Sequence, residues 1–437
     1  METPFSAGGP SSMPNSLWTA TTVRPPPYPI LQGDLLADVC VIGGGFMGLS
    51  TALELARNGK TVAVLEAAEI GWGASGRNNG IVAPGLKRDP WEVRSLLGKE
   101  QGERLLRYSG EASDSVFNLA KELGIDCDAN RGGWIQAAHS KRALPSVEKR
   151  VTEWQALGAE VEMIPNSEVS AQLGTYFYAG ACRYAGGGSI NPLAYTVGIA
   201  QAAAVAGAAL YEQSPATAIE REGNTWAIRS THGRVVAPQV VCCTNAYNDN
   251  LDRLRGSVLP LRTAQIASHP LPRDITANIL SGAAAASDTQ RLLTSFRLTA
   301  DNRLIMGGAS ATAGDENAGL TRRLHKAARE RFPDLGSIPW EYGWSGYLAL
   351  TPDHLPQIVR VDDGFLDAVG CNGRGIAMST AMGKTIAELI CGREDRDCSV
   401  PVREPKQFFG YQLRHLGVAV GVVFNRLLDT AERHLSS

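Results

Sequence analysis

Three glycines near the N-terminus, Gly43, Gly45 and Gly48, follow an apolar run and open a helical pattern, and Glu66 follows the next apolar run. In such a G-x-G-x-x-G turn the backbone can approach a pyrophosphate, and the free N–H groups at the helix start bind the phosphates. A carboxylate at Glu66 accepts hydrogen bonds from a ribose and repels a 2′-phosphate. The residues predict an adenine-dinucleotide site and redox chemistry.

A glycine-rich turn alone is a weak signal in a chain that contains 47 glycines, because an ordinary tight turn between a strand and a helix can match it. The order of strand, glycines, helix, second strand and acid makes the signal specific. The apolar runs 39–42 and 61–65 are typical of buried parallel strands.

A second glycine loop, residues 370–375, lies far along the chain between the predicted strand Phe365–Val369 and a predicted helix over 376–390. Two such loops can hold both ends of an extended dinucleotide. Reduced flavin carries negative charge at one edge, which a helix N-terminus stabilises. We therefore predict FAD rather than a nicotinamide cofactor, which must leave in each turnover. The alternative is a helix-capping turn that binds nothing.

The composition is that of an ordinary globular protein long enough for two domains: 437 residues, 44% hydrophobic and 20% charged, with a net charge of −2. There is no basic excess that would indicate a nucleic-acid partner, and no apolar run of membrane-spanning length. The eight cysteines form no C-x-x-C pair, and Cys40, Cys242 and Cys243 lie in apolar strand patterns. Reduced thiols and a cytoplasmic location are expected, and the seven histidines show no metal-ligand spacing, so no metal is expected.

Predicted strands and helices alternate along much of the chain, which favours a mixed α/β (α+β) fold. We expect a Rossmann-like FAD-binding domain and a second substrate domain built on an antiparallel sheet. The expected division is an N-terminal arm on the surface (1–36), a discontinuous FAD-binding domain (37–90, 150–250 and 350–395), a substrate domain (91–149 and 251–349) and a C-terminal helical tail (396–437).

The ordered set of motifs resembles the D-amino-acid-oxidase-type FAD-dependent oxidoreductases, which include glycine and sarcosine oxidases. The blocks that carry the resemblance are 39–48, 73–78, 244–247, 344–346 and 371–375. The arm residues 16–18 and the Gly-Ala-Ser-Gly-Arg-Asn block are similar to the branch of γ-glutamylputrescine oxidoreductase-like proteins. The resemblance extends over nearly the whole chain.

The resemblance implies which residues hold the FAD. The pyrophosphate, adenosine ribose and adenine would be held by Gly43, Gly45, Phe46, Met47, Gly48, Glu66, Ala67 and the backbone of Ala218. The phosphates and the flavin edge would be held by Gly73, Ala74, Ser75, Arg77, Asn78, Thr244 and Asn245. The pyrimidine end of the ring would meet Gly373, Arg374, Gly375 and Ile376.

Three departures from the family pattern matter. Asn79 stands where the branch commonly has glycine, so this turn can differ. The stretch 346–352 has glycine at about the place where a cysteine tethers the flavin of sarcosine oxidases, and we expect non-covalent FAD. The strand pattern 303–306 offers no lysine over the flavin, which puts efficient use of oxygen in doubt.

The resemblance implies oxidation of a C–N bond in an amine or amino acid: a secondary amine, an N-methyl amino acid or a γ-glutamyl amine. Hydride passes to flavin N5, the resulting imine is hydrolysed, and O2 or another acceptor takes the electrons. The candidate substrate-binding residues are of two kinds. Aromatic side chains that line the site can bind an amine, and arginines can bind a carboxylate. They are Tyr247, Trp344, Tyr347, Arg262 and Arg297.

Other interpretations stay open. The aromatic residues can equally be core packing, and the arginines can be surface strand residues. An alternative function is an FAD-binding electron-transfer or structural subunit without its own amine substrate, with Phe408–His434 as a docking helix.

Overall fold

The computed structural model describes residues 12–247, 256–309, 318–335 and 338–405, together with Gly421, Phe424, Asn425, Leu428, Asp429 and Glu432. The helices are α1 (Leu17–Thr21), α2 (Phe46–Arg57), α3 (Pro90–Leu97), α4 (Lys99–Glu122), α5 (Leu144–Ala156), α6 (Asn166–Leu173), α7 (Pro192–Val205), α8 (Arg273–Thr276), α9 (Ala318–Arg331) and α10 (Gly375–Ile390). Most of the predicted docking helix 408–434 lies outside the described residues.

The strands fall into four sheets. The first twelve are β1 (Gly33–Leu36), β2 (Val39–Ile42), β3 (Val62–Leu65), β4 (Ile81–Val82), β5 (Trp134–Ala138), β6 (Val161–Ile164), β7 (Gly180–Tyr184), β8 (Gly188–Ser189), β9 (Ala209–Tyr211), β10 (Ala218–Glu222), β11 (Thr225–Arg229) and β12 (Gly233–Ala237). The others are β13 (Gln239–Cys242), β14 (Leu259–Ser268), β15 (Ala285–Asp288), β16 (Thr294–Leu298), β17 (Leu304–Ala309), β18 (Trp340–Leu350), β19 (Gln357–Asp362), β20 (Phe365–Val369) and β21 (Val402–Arg403).

A seven-stranded sheet, in the order β21-β19-β20-β13-β2-β3-β9, forms the nucleotide half of the molecule. The five strands from β20 to β9 are mutually parallel. Strands β2 and β3 are buried at every position, as expected of parallel strands covered on both faces. Helix α2 packs against α7 and α10. The prediction of a Rossmann-like domain is confirmed.

The register of this sheet brings the chemically interesting segments to one edge. Ile42 pairs with Leu65 and with Cys242, so the carboxyl ends of β2, β3 and β13 are level. The first glycine loop, Glu66 and the segment 243–245 therefore leave the sheet side by side. This is the edge where open α/β sheets bind their ligands.

An eight-stranded sheet, in the order β18-β14-β17-β16-β15-β5-β7-β6, forms the second half. Its pairs are antiparallel except for β15 with β5. The predicted antiparallel second sheet is confirmed.

The boundaries between the halves differ from the expected division. Strands β6 and β7 pair in the eight-stranded sheet, although residues 150–250 were assigned to the FAD-binding domain. Helix α4 packs on α10 of the nucleotide half, although residues 91–149 were assigned to the substrate domain. Helices α3 and α4 are separate, because Gly98 between them has a φ of 76°.

The N-terminal arm lies only partly on the surface. Among its described residues, 12–36, Ser16, Leu17, Trp18 and Leu31 are buried, and the others are exposed or half-buried. Strand β1 pairs with β12 in a four-stranded sheet, in the order β1-β12-β11-β10. Trp18 is 1% exposed and packs with Leu17, Leu193 and Trp344. Apolar burial of this size outweighs the polar composition of the arm.

Among the helices that the structure describes, none is long and apolar enough to cross a membrane.

Candidate active site

A cavity of about 660 Å³ lies between the carboxyl edge of the seven-stranded sheet and the eight-stranded sheet. Residues of both glycine loops line it, Gly43 and Gly45 from the first and Gly373 and Gly375 from the second. The opposite wall comes from β14, β16, β17 and β18. The two distant glycine loops therefore face one continuous space.

The first glycine loop is built for close approach of backbone. Gly43 has a φ of 109°, a region that L side chains rarely adopt. A Cβ at Gly48 would lie 2.0 Å from the carbonyl oxygen of Gly43, so helix α2 packs directly on the turn. Ser75 Oγ accepts a hydrogen bond from the Phe46 N–H at 3.0 Å, which joins the loop 73–78 to the start of α2. No acidic residue occupies the first turn of α2.

Glu66 is fixed at the end of β3 by backbone donors. Its Oε2 accepts from the N–H of Gly44 at 2.7 Å, and its Oε1 accepts from the N–H of Ala68 at 3.0 Å. Burial raises the pKa of Glu66, and these backbone hydrogen bonds oppose that shift. The carboxylate lines the cavity, where its remaining lone pairs can accept hydrogen bonds from ribose hydroxyls.

The second glycine loop presents the start of α10 to the cavity. Asn372 and Gly373 have φ values of 48° and 90°, and Asn372 Oδ1 accepts from the Thr351 N–H at 3.0 Å. A Cβ at Gly373 would meet nothing within 4 Å. The helix has no side-chain cap and no acidic residue in its first turn. Its N–H groups and positive dipole end remain available to an anionic ligand edge.

These residues fit FAD. Two helix N-termini and a fixed carboxylate face one cavity, and the first loop has no room for side chains. Most of the predicted cofactor residues line that cavity, namely Gly43, Gly45, Phe46, Met47, Glu66, Ala67, Gly73, Ala74, Ser75, Arg77, Asn78, Thr244, Asn245, Gly373, Gly375 and Ile376.

Three predicted cofactor residues do not line the cavity. Gly48 packs against the backbone of Gly43 in the turn. Arg374 is half-buried with its guanidinium carbon 4.6 Å from the ring centre of Trp134, and desolvation of this group lowers its pKa to about 10. Ala218 begins β10 in the four-stranded sheet, and Pro215 and Ala216 reach the cavity instead.

The predicted aromatic walls separate into two groups. Tyr247 and Tyr347 line the cavity, with ring centres 6.1 Å apart and ring planes at 86°. Trp344 does not line it. That side chain is 3% exposed, donates from Nε1 to the Arg77 carbonyl at 2.8 Å, and packs edge-on against Trp18. Trp344 is a core residue, which corrects its predicted place at the substrate.

Neither predicted arginine reaches the cavity, so the expected carboxylate clamp is corrected. Along β14, Leu261 and Thr263 line the cavity, whereas Arg262 between them donates to Ser345 Oγ at 3.1 Å. Side chains alternate along a strand, and this register turns Arg262 away. Arg297 is 1% exposed and donates to the carbonyl oxygens of Gly80 and Ile190. Burial lowers its pKa to about 10.

Three basic residues that were not among the predicted site residues also line the cavity, Lys87, Arg291 and His354. The side chain of Lys87 is exposed to the cavity and otherwise surrounded by protein. Burial lowers its pKa, and the charges of Arg374 and Arg150 lower it further. Burial and the charge of Arg88 likewise lower the pKa of His354. The one available signal for Lys87 was its position after the mostly apolar stretch 81–86, which follows the glycine-rich segment 71–80.

Asn79 also has a place in the site. Its Nδ2 donates to Ser295 Oγ of β16 at 2.6 Å, and its Oδ1 accepts from the Ile81 N–H. The residue that departs from the family pattern therefore joins the glycine-rich turn to the eight-stranded sheet.

Comparison with known proteins identifies the family. The family model described as "FAD dependent oxidoreductase" (DAO) matches residues 38–389. The chain belongs to the DAO family of FAD-dependent oxidoreductases. The predicted resemblance and the predicted oxidoreductase chemistry are confirmed.

Several relatives of this DAO-family member cover most of the chain. A probable oxidoreductase, OrdL, from Haemophilus influenzae is 30% identical over 90% of this chain and 92% of its own length. The γ-glutamylputrescine oxidoreductase of Escherichia coli K12 is 31% identical over 87% of this chain and 90% of its own. The crystal structure of glycine oxidase from Geobacillus kaustophilus superposes with a TM-score of 0.70 at 25% identity, covering 82% of this chain and 96% of that one.

Proposed function

We propose that this enzyme oxidises the C–N bond of an amine or amino acid to an imine, which water then hydrolyses to a carbonyl compound and a free amine. Bound FAD supplies the acceptor for the two electrons and the hydrogen removed. The observation that carries the proposal is that both glycine loops and the Tyr247–Tyr347 pair line one cavity. Relatives named for γ-glutamylputrescine and glycine support the amine class.

The residues opposite the glycine loops can orient such a substrate and exclude water. Apolar side chains from β14 and β18 form much of that wall, namely Leu259, Leu261, Leu348 and Leu350. Gln265 and Ser295 add polar groups between them. Apolar walls with a few placed polar groups are typical of small-molecule sites. They favour the neutral form of a bound amine, which is the form that can lose hydride.

We further propose that the substrate carries an anionic group that Lys87 binds. Among the described residues the Lys87 ammonium has no hydrogen-bond or ion-pair partner, and the one acidic residue lining the cavity is Glu66. An ammonium without a protein partner that lines a ligand cavity favours an anionic ligand group. This arrangement favours N-methyl amino acids and γ-glutamyl amines over simple primary amines.

The test is an anaerobic screen in which bleaching of the flavin absorbance reports substrate oxidation by the purified holoenzyme. Primary amines, N-methyl amino acids and γ-glutamyl amines are compared, and we expect reduction by one of the two carboxylate-bearing classes. Readmission of O2 then shows whether O2 reoxidises the reduced flavin. If no class reduces the flavin, the amine proposal fails and a subunit that only transfers electrons becomes the better explanation.

Lys87→Met separates the anion proposal from the amine proposal. Loss of one charge-assisted hydrogen bond is expected to raise KM for a carboxylate-bearing amine by about tenfold or more. The matched control is Lys384→Met, which removes an exposed lysine on α10. An unchanged KM in Lys87→Met would exclude Lys87 as the anion contact.

We propose that the FAD is held non-covalently. Gly346 lines the cavity on β18, at about the place of the tethering cysteine. Burial raises the pKa of the nearby Cys371 thiol, which keeps it in its unreactive protonated form. Acid precipitation of the holoenzyme should leave all flavin in the supernatant, and yellow colour in the pellet would contradict the proposal.

A further inference from the structure

Six described residues near the C-terminus lie beyond the stretch matched by the family model, and two of them line the cavity. Gly421, Phe424, Asn425, Leu428, Asp429 and Glu432 are in helical conformation. We call these six residues the C-terminal wall. Gly421 and Asn425 line the cavity on the side of the eight-stranded sheet, together with Arg291 and Leu292 from the segment before β16.

Arg291 holds the C-terminal wall in place. Asp429 Oδ1 accepts from the backbone N–H of Arg291 at 3.1 Å and from its Nη1 at 3.0 Å, and Oδ2 accepts from the Leu292 N–H at 3.1 Å. Glu432 Oε1 accepts from Arg291 Nη2 at 2.6 Å. Asp429 is 5% exposed, whereas the side chains of Arg291 and Glu432 are 39% and 28% exposed, so the Asp429 end of the cluster is the part shielded from solvent. Charge-assisted bonds of this kind are stronger than neutral ones.

The same cluster has the composition of a metal site but does not need a metal. His139 Nε2 lies 3.4 Å from Glu432 Oε2, and the ligand atoms of His139, Asp429 and Glu432 lie within 4.8 Å of one another. The guanidinium of Arg291 already supplies the positive charge that both carboxylates require. A divalent cation would have to compete with it at close range.

We propose that the C-terminal wall closes the substrate end of the cavity and that Asn425 is a specificity-determining residue. In this arrangement Arg291, Asp429 and Glu432 are positioning residues. They hold the wall but do not contact the reacting atoms. The specificity part rests on the proposed function, whereas closure of the cavity can be measured without any substrate.

The test compares the wild-type holoenzyme with Asp429→Asn/Glu432→Gln. The matched control is Glu394→Gln/Asp397→Asn, which removes two exposed carboxylates and changes the net charge equally. Quenching of flavin fluorescence by iodide reports access to the cavity, and the flavin absorbance spectrum reports folding. We expect the iodide quenching constant to rise several-fold and KM to rise about tenfold in the double variant, with little change in kcat.

A third variant, Asn425→Ala, leaves the Arg291 contacts intact. We expect it to change the ratio of kcat/KM between large and small amines while the control double variant does not. Iodide quenching and KM that stay at wild-type values in Asp429→Asn/Glu432→Gln would overturn the proposal. If no amine reduces the wild-type flavin but the quenching constant still rises, the wall is supported and the proposed function alone fails.

Discussion

The hydroxyl of Tyr247 accepts a hydrogen bond from the backbone N–H of Tyr347 at 3.0 Å. This bond joins the segment after β13, in the nucleotide half, to β18 of the eight-stranded sheet. Both rings face the cavity. One side-chain oxygen therefore helps to set the distance between the cofactor loops and the substrate wall.

Tyr247→Phe should weaken substrate binding. It leaves the Tyr347 N–H without its acceptor, at a cost of about 1 kcal/mol or a several-fold rise in KM. Tyr347→Phe is the matched control, because Tyr347 contributes its backbone and keeps the bond. Steady-state kinetics of the two variants check this. Equal effects in both would show that the bond is not responsible.

Gly48→Ala should abolish FAD retention. The added methyl group would lie 2.0 Å from the Gly43 carbonyl oxygen, which forces α2 away from the turn that faces the cavity. Gly186→Ala is a suitable control, since a Cβ there meets one atom at 3.5 Å, an ordinary contact. The flavin-to-protein absorbance ratio after gel filtration measures the result. A normal ratio in Gly48→Ala would contradict this account of the loop.

Asp367 should make the folded state less stable at alkaline than at acidic pH. It is 1% exposed on β20, and burial raises its pKa from 3.8 to about 7. The folded protein thus keeps a proton that the unfolded chain releases at lower pH. Stability contributed by this group is full below about pH 4, falls as the pH rises towards 7, and is level above that.

Asp367→Asn should therefore reduce the difference in denaturation midpoint between pH 5 and pH 8. Urea unfolding at the two values measures it. The control is Asp363→Asn, whose carboxylate is 91% exposed. If Asp367→Asn keeps the wild-type pH dependence, the carboxyl does not titrate in this range.

The ion pair of Arg331 and Asp288 should be costly to break. The Nη2–Oδ2 distance is 2.7 Å, both side chains are almost fully buried, and Arg331 Nε also donates to the Tyr178 hydroxyl. Arg331→Met leaves a buried carboxylate uncompensated, at a cost of about 3–5 kcal/mol of unfolding free energy. Arg393→Met, in a half-exposed pair with Glu388, should cost less than about 1 kcal/mol. Comparable losses would show that burial does not decide the outcome.

The parts of the fold that could be predicted are those encoded by local pattern. The apolar run Phe365–Val369 is β20 without any shift of boundary, and the buried run at 39–42 is β2. Each carries its own signal, because both faces of a parallel strand are covered. The glycine loops were also predictable from local pattern, because the turns themselves require glycine.

The parts that could not be predicted depend on distant partners. Trp18 is buried by Trp344, and nothing in the composition of the arm indicates this. Arg262 and Arg297 were expected at the substrate, but the register of β14 and β16 turns them elsewhere. No sequence pattern around Lys87 distinguishes a lysine that faces a cavity from one that faces solvent.

The packing of Trp18 against Trp344 has a consequence for the order of events during synthesis. The arm is synthesised before the strand that contributes Trp344, which follows more than three hundred residues later. Until Trp344 is made, Trp18 lacks this edge-on partner, although Leu193 and Val197 of the same cluster are already present. The indole of Trp18 also donates a hydrogen bond to the backbone carbonyl of Asn78 at 2.7 Å. Because Trp344 donates from Nε1 to the Arg77 carbonyl, the cofactor-facing turn at 77–78 is bonded to both tryptophans only once the late strand is in place.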